Sequence, residues 1–364
     1  MKTIDIIAGA RPNFMKVAPI IRAIEARQKS GSALDYRLIH TGQHYDPRLS
    51  GAFFEQLGIP EPDVNLEVGS GTQAEQTASI ITRYEALLLE QRSDLCLVVG
   101  DVTSTMACAI AAQKLGVPVA HVEGGIRSGD WTMPEEINRL VTDAITNYFF
   151  TTSEHANAHL RAAGVGDERI FFVGNTMIDT LLANLDRLRL ASFYTELGLA
   201  DGEYLAVTLH RPTNVDDPAR LGELVHAICD NAYGVPVIFP VHPRTAHNLD
   251  AIGNLPANLH RVDPQPYLEF IHLIRHAKAV ITDSGGITEE ATVLGVPCMT
   301  LRDTTERPET VEQGTNALLG IDPAAIAPAL DRLFAGKWHT GSVPPLWDGK
   351  AAERIVRHLE TLLG

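Results

Sequence analysis

The residues of this chain that can do chemistry collect at the ends of short apolar runs. Arg11 and Lys16 follow Ile4–Ala8, Asp101 follows Leu95–Val99, and Glu123 follows Val117–Val122. His210 follows Tyr204–Leu209, His242 follows Val235–Val241, and Asp283-Ser284-Gly285-Gly286 follows Ala279–Thr282. The last of these runs from an apolar stretch through two glycines into a helical stretch. Free backbone N–H groups and the dipole at such a helix start stabilise phosphate oxygens, and glycine removes the Cβ that would block close approach. Ser284 can add a hydroxyl donor, and Glu290, one turn on, can accept hydrogen bonds from ribose hydroxyls. The plainer alternative is an ordinary N-cap with Glu in the first turn.

Arg11 can grip a phosphate bidentately and Lys16 can act on it as a point charge. Pro134 suits the first turn of a helix, which sets Glu135 and Arg139 one turn apart on one face. That spacing reads either as a plain ion pair or as Glu135 positioned by Arg139 beside Asp101 and Glu123. Three carboxylates near one site raise each other's pKa and can serve as general acid and base. His210 is a further acid/base or phosphate-donor candidate, although a lone His weighs little in a chain with 14.

The elements that must position these residues alternate. Continuous Val/Ile/Leu/Phe runs separated by helical stretches indicate a parallel sheet covered on both faces. The alternation restarts in the second half of the chain. The expected fold class is α/β, with two Rossmann-like doubly wound domains over residues 1–174 and 175–349. A terminal helix at 350–364 is expected to pack back on the first. In open parallel sheets ligands bind beyond the carboxyl ends of the strands, where the candidates lie, so the expected site is the cleft between the two domains.

At 364 residues, 45% hydrophobic and 21% charged, the chain has ordinary globular values. Its net charge of −15 disfavours nucleic acid and anionic membrane surfaces as partners. Cys96, Cys108, Cys229 and Cys298 lie far apart without a CxxC pair, and are expected as buried thiols in a reducing compartment, the cytoplasm. No apolar run approaches the ~20 residues of a membrane span, and Asp5 within the first apolar stretch reads as a strand rather than a signal peptide. Neither GxGxxG nor GxxxxGK[ST] is present, nor HExxH, nor GxSxG, so a dinucleotide or P-loop cofactor site, a zinc site and a hydrolase triad are not expected.

Taken together, the motifs resemble the non-hydrolysing UDP-N-acetylglucosamine 2-epimerase family over nearly the whole chain. The matching segments include Gly9-Ala10-Arg11-Pro12…Lys16, Gln43-His44, Gly100-Asp101, His121-Val122-Glu123-Gly124-Gly125 and Pro134-Glu135-Glu136…Asn138-Arg139. Further on come Gly174-Asn175-Thr176, His210-Arg211, Asp263-Pro264-Gln265…Phe270, Asp283-Ser284-Gly285-Gly286…Glu289-Glu290 and Arg302-Asp303-Thr304-Thr305-Glu306-Arg307-Pro308-Glu309. The resemblance implies a GT-B-like fold and interconversion of UDP-GlcNAc and UDP-ManNAc without NAD or metal. The route it implies is elimination of UDP to a 2-acetamidoglucal, followed by re-addition. By motif match Asp101, Glu123 and Glu135 resemble the catalytic carboxylates, and Arg139 a residue that supports them. Arg11, Lys16, His210, Ser284, Gly285, Gly286, Glu290 and Arg307 resemble contacts to UDP or substrate, and Gln265 and Phe270 match the uracil-side segment. The implied partners are a UDP-sugar, UDP and a second copy in a homodimer.

The chain also departs from the family pattern. Ala10 and Asn13 stand where many members carry Thr and Glu, Pro212-Thr213 follows His210-Arg211 where many carry Arg-Glu, and Tyr45-Asp46 follows Gln43-His44. In some bacterial members these regions hold an allosteric UDP-GlcNAc site, so the departures speak against allosteric activation. The Gly-Ala-Arg-Pro variant also occurs in relatives acting on modified sugars such as UDP-2,3-diacetamido glucuronic acid. That leaves such a sugar as an alternative substrate, and a GT-B glycosyltransferase as an alternative activity.

Overall fold

A computed structural model describes residues 1–42 and 56–364, without the side chains of Arg11, Pro243 and Arg244; the Gln43-His44 motif lies outside the described residues. The chain divides into two compact units, Met1–Ala183 with Pro345–Gly364, and Asn184–Pro344.

In the first unit seven parallel strands lie in the order β3-β2-β1-β4-β5-β6-β7. They are β1 (Lys2–Ala8), β2 (Leu34–His40), β3 (Val64–Asn65), β4 (Leu95–Val99), β5 (Val119–Val122), β6 (Tyr148–Thr151) and β7 (Ile170–Phe172). Helices cover both faces, so a central strand such as β4, Leu-Cys-Leu-Val-Val, is buried along its length. The polar exception in β1 is satisfied from two sides. Asp5, with no exposed surface, accepts Arg37 Nε at 2.8 Å and Nη2 at 2.9 Å, and the Tyr84 hydroxyl at 2.9 Å. The terminal helix Ala351–Leu363 belongs to this unit. Arg27 binds Glu360 through two nitrogens, and Asp179 accepts the first N–H groups of the helix, from Ala351 and Ala352. Burial pushes Asp179 up to about 6 despite these two N–H donors.

The second unit has six parallel strands in the order β10-β9-β8-β11-β12-β13. They are β8 (Leu205–Thr208), β9 (Val237–Pro240), β10 (Leu259–Val262), β11 (Ala279–Thr282), β12 (Cys298–Thr300) and β13 (Asn316–Leu318). Its core is built from Leu205, Val207, Phe239 and Ile281 on the strands, with Leu221, Leu224, Ile228 and Leu330 on the helices. Both units are thus Rossmann-like and doubly wound, the two-sheet α/β class called GT-B-like.

The four cysteines are free and buried. Burial pushes the Cys229 and Cys298 thiols up to about 12, which removes them from thiolate chemistry. Among the described residues no helix is long and apolar enough to cross a membrane, and no group of His, Cys, Asp and Glu is arranged to hold a metal ion. In each sheet the strand order reverses at one place, between β1 and β4 in the first unit and between β8 and β11 in the second. Ligands of doubly wound sheets bind beyond the strand ends at this point.

Candidate active site

At the reversal point of the first unit, Asn13 joins the two strand ends. Its Oδ1 accepts the N–H groups of Gly9 and Ala10 at 3.2 and 3.0 Å, and its Nδ2 donates to the Val99 carbonyl at 3.0 Å. One departure from the family motif therefore has a structural task, holding the turn after β1 against the end of β4. Arg11 begins the Arg11–Lys29 helix, and one turn on Lys16 reaches Glu123, Nζ to Oε2 2.7 Å. Gly100 sits beneath this pair with φ +69°. The left-handed conformation favours glycine here, and a Cβ would stand 3.3 Å from Lys16 Nζ, so the lysine end would have to give by a few tenths of an ångström.

Glu123 is buried and has φ +70°, the left-handed region that non-glycine residues seldom enter. Such a conformation persists only where its surroundings over-determine it, and such residues cluster at functional sites. Asp101 Oδ2 is gripped by Arg139 through Nε at 3.0 Å and Nη2 at 2.6 Å, and Asn138 Nδ2 donates to the Asp101 carbonyl at 2.8 Å. Arg139 comes from the Pro134–Ile145 helix, where Glu135 and Glu136 occupy the first turn.

The i,i+4 expectation for Arg139 needs correction. Its acidic partner on its own helix is Glu136, three residues back, at 2.6 Å from Nη1. Glu136 turns to the buried face because Ser128 and Gly129 donate their N–H groups to it there. Burial would raise its pKa, but those N–H groups and the guanidinium outweigh burial and hold it below the usual carboxylate range. Glu135 stands half-buried beside it, in the same first turn.

In the second unit the reversal point is closed by a shared hydrogen bond between the Thr208 and Thr282 hydroxyls at 2.7 Å. The next residue after β11, Asp283, is fully buried. It accepts the N–H groups of His210 and Arg211, the Asn214 amide, and His210 Nδ1 at 2.7 Å. Burial acts to raise its pKa, but the His210 contact, the Arg211 N–H and the Asn214 amide carry it below the usual range. The His210 ring is 59% exposed, so it presents an oriented imidazole at the surface above an ionised carboxylate.

Ser284 is the N-cap of the Gly285–Leu294 helix but makes no side-chain cap bond, and the first turn carries no acid. The arrangement differs from the ordinary cap with Glu in the first turn. At Gly285 a Cβ would lie 2.6 Å from Glu306 Oε1, a carboxylate held at its other oxygen by Arg302 at 2.7 Å. Gly286 follows inside the first turn.

Glu290 is buried and accepts the Tyr267 hydroxyl at 2.9 Å. Burial pushes it up to about 8, against the pull of Tyr267 and with help from Glu289. Arg307 is buried in an ion pair with Glu289. Gln265 donates to the Asp263 carbonyl at 2.6 Å, and Phe270 packs, half-buried, on the cluster containing Tyr194 and Tyr204. The first unit thus gathers Lys16, Asp101, Glu123 and Arg139, and the second gathers His210 and the Ser284–Gly286 turn. Asp283, Asn138 and Glu136 join them without having been singled out for these roles in the sequence. The signal for Asp283 was its place at a strand end immediately before the two glycines.

The profile of the UDP-N-acetylglucosamine 2-epimerase family matches residues 26–360. The chain belongs to that family. As a member of an epimerase family it is an isomerase. It is 41% identical to the UDP-N-acetylglucosamine 2-epimerase of Methanocaldococcus jannaschii, over 98% of each chain. It is 38% identical to the UDP-2,3-diacetamido-2,3-dideoxy-D-glucuronate 2-epimerase of Pseudomonas aeruginosa, over 100% of each. A crystal structure of the M. jannaschii UDP-GlcNAc 2-epimerase, in complex with UDP-GlcNAc and UDP, is similar at a TM-score of 0.87 with 40% identity over 99% of each chain.

Proposed function

We propose that this epimerase-family chain interconverts UDP-GlcNAc and UDP-ManNAc. A carboxylate takes the C2 proton while the C1–O bond to UDP breaks, and the electron pair forms the C1=C2 bond of a 2-acetamidoglucal. A proton then returns to C2 on the opposite face, and a UDP phosphate oxygen re-forms the bond to C1. C1 and C2 return to their starting oxidation levels, so the route needs no redox cofactor. The C2 proton has no adjacent carbonyl to acidify it, so the reaction depends on a good leaving group. Cations and N–H groups that stabilise the developing charge on UDP supply that.

Asp101, Glu123 and Glu135 are the proton-handling groups in this reading, and Arg139 holds Asp101. His210, the Ser284–Gly286 turn, Glu290 and Arg307 hold UDP, with Gln265 and Phe270 on the uracil side and Arg11 and Lys16 toward the diphosphate. The observation that carries the proposal is the pairing of Glu123 with Lys16 and of Asp101 with Arg139 at the strand-order reversal of the first unit. Each carboxylate is placed and partly neutralised by its own cation. Incubation with UDP-GlcNAc in deuterated water should place deuterium at C2 and yield both epimers. Absence of exchange would refute the proposal for this sugar.

The P. aeruginosa relative, matched along its entire length, supports a second reading in which the sugar is the diacetamido uronate. Exchange with that sugar and none with UDP-GlcNAc selects it. The homodimer that the family resemblance implies is read by sedimentation.

A further inference from the structure

His121 lies in β5, two residues before Glu123, and has no exposed surface. Its Nδ1 is 2.7 Å from Asp143 Oδ1 and its Nε2 is 2.8 Å from the carbonyl oxygen of Gly100. A carboxylate and a carbonyl only accept, whereas a neutral imidazole carries one N–H. Both contacts are hydrogen bonds only if both ring nitrogens donate. The neutral alternative would need Asp143 to carry the proton, and its surroundings oppose that. Asp143 Oδ2 accepts the Gly125 N–H at 3.0 Å and Arg127 Nη1 at 2.6 Å. Burial acts to raise its pKa, but His121 and Arg127 outweigh burial and hold it below the usual carboxylate range. The backbone at Gly124 closes over the pair, since a Cβ there would stand 3.3 Å from Nδ1 and 2.8 Å from the Phe149 ring.

We propose that the His121 ring donates from both nitrogens, from Nδ1 to Asp143 and from Nε2 to the Gly100 carbonyl, and so fixes the Gly100–Asp101 turn. It is a positioning residue, acting on the reaction through Asp101, and this rests on the reading of Asp101 as a proton-handling carboxylate. The turn is then held at consecutive points, by His121 at the Gly100 carbonyl, by Asn138 at the Asp101 carbonyl and by Arg139 at the carboxylate. A neutral ring protonated at Nδ1 would turn the Nε2 lone pair toward the Gly100 oxygen, and one protonated at Nε2 would face the Asp143 carboxylate from Nδ1 with no proton between them. Either is costly at a ring with no exposed surface.

Nitrogen-15 NMR of histidine-labelled protein without substrate, with the signal assigned by His121→Gln, tests the charge directly. The expected result is that the His121 ring carries a proton on both nitrogens at pH 7.5. A ring with a single protonated nitrogen at pH 7.5 overturns the proposal. Kinetically, His121→Gln should lower kcat for C2 exchange roughly 10²-fold, as for a misplaced catalytic group, with KM for the UDP-sugar within about 3-fold. An unchanged kcat overturns the positioning role. If the variant does not fold, the wild-type spectrum, assigned by through-bond correlation, still decides the charge. The spectrum requires no substrate, so a neutral ring defeats this inference whatever the enzyme acts on. A charged ring in a wild-type protein that exchanges no UDP-2-acetamido sugar defeats the functional reading, and with it the role assigned through Asp101.

Discussion

Lys16 Nζ and Glu123 Oε2 lie 2.7 Å apart in a buried ion pair whose two partners come from opposite sides of the reversal between β1 and β4. Breaking a buried pair from one side strands the other charge, at a cost of about 3–5 kcal/mol. Lys16→Ala should therefore lower both stability and activity. Glu123→Gln keeps an acceptor for the ammonium and should abolish most of the turnover, by roughly 10²–10⁴-fold, with a smaller loss of stability. Urea denaturation alongside C2 exchange separates the two effects. Turnover retained in a folded Glu123→Gln contradicts the assignment of Glu123 to chemistry.

The carboxylate under His210 is a second point of leverage. Asp283→Ala removes the acceptor of the part-buried His210 and Arg211 N–H groups and one of the two acceptors of the buried Asn214 amide, which keeps the Leu301 carbonyl, at up to roughly 1–3 kcal/mol for each group left unsatisfied. Asp283→Asn, which keeps one acceptor oxygen, should lose less. His210→Asn should leave the fold intact, since that ring is mostly exposed, and should reduce turnover. Thermal denaturation of the three variants orders them, and a strongly destabilised His210→Asn would contradict this account.

Glu290 predicts a pH dependence. Its carboxyl is pushed from an ordinary 4.5 up to about 8, mainly by burial. Between those values the folded chain holds a proton that the unfolded chain has lost, so stability falls as pH rises from about 5 to about 8. A shift of this size corresponds to a few kcal/mol, on the order of 1.4 per pH unit. Glu290→Gln, which mimics the protonated form toward Tyr267, should flatten that part of the profile in ligand-free protein. A slope unchanged by the substitution refutes the shift.

The nucleotide turn offers a steric test. Gly285→Ala places a methyl group 2.6 Å from Glu306 Oε1, so either the helix start or the Glu306–Arg302 pair must move. UDP affinity, measured by calorimetry, should fall about 10-fold or more. Gly198→Ala serves as the control for destabilisation without a steric clash. Gly198 also has positive φ, but nothing stands within 4 Å of its Cβ, so UDP affinity should be unchanged.

Much of this protein was legible in its sequence. The central strands are continuous apolar runs because both faces of a parallel sheet are covered, and Leu95–Val99, Tyr148–Thr151 and Ala279–Thr282 stand out for that reason. The strands that did not stand out, Val64–Asn65, Leu259–Val262 and Asn316–Leu318, all lie at sheet edges, where burial is partial and an apolar run is not required. The candidate residues were legible because a doubly wound sheet delivers its strand ends to one side, which follows from local order alone. Tertiary structure decided which charge meets which. Spacing offered Glu135 to Arg139, but the N–H groups of Ser128 and Gly129 draw Glu136 inward instead. Spacing was silent on His210 with Asp283, on Lys16 with Glu123 and on His121 with Gly100. These partners are 73, 107 and 21 residues apart in the chain. Hydrogen bonds and ion pairs act over about 3 Å, and only folding brings such distant residues within that range.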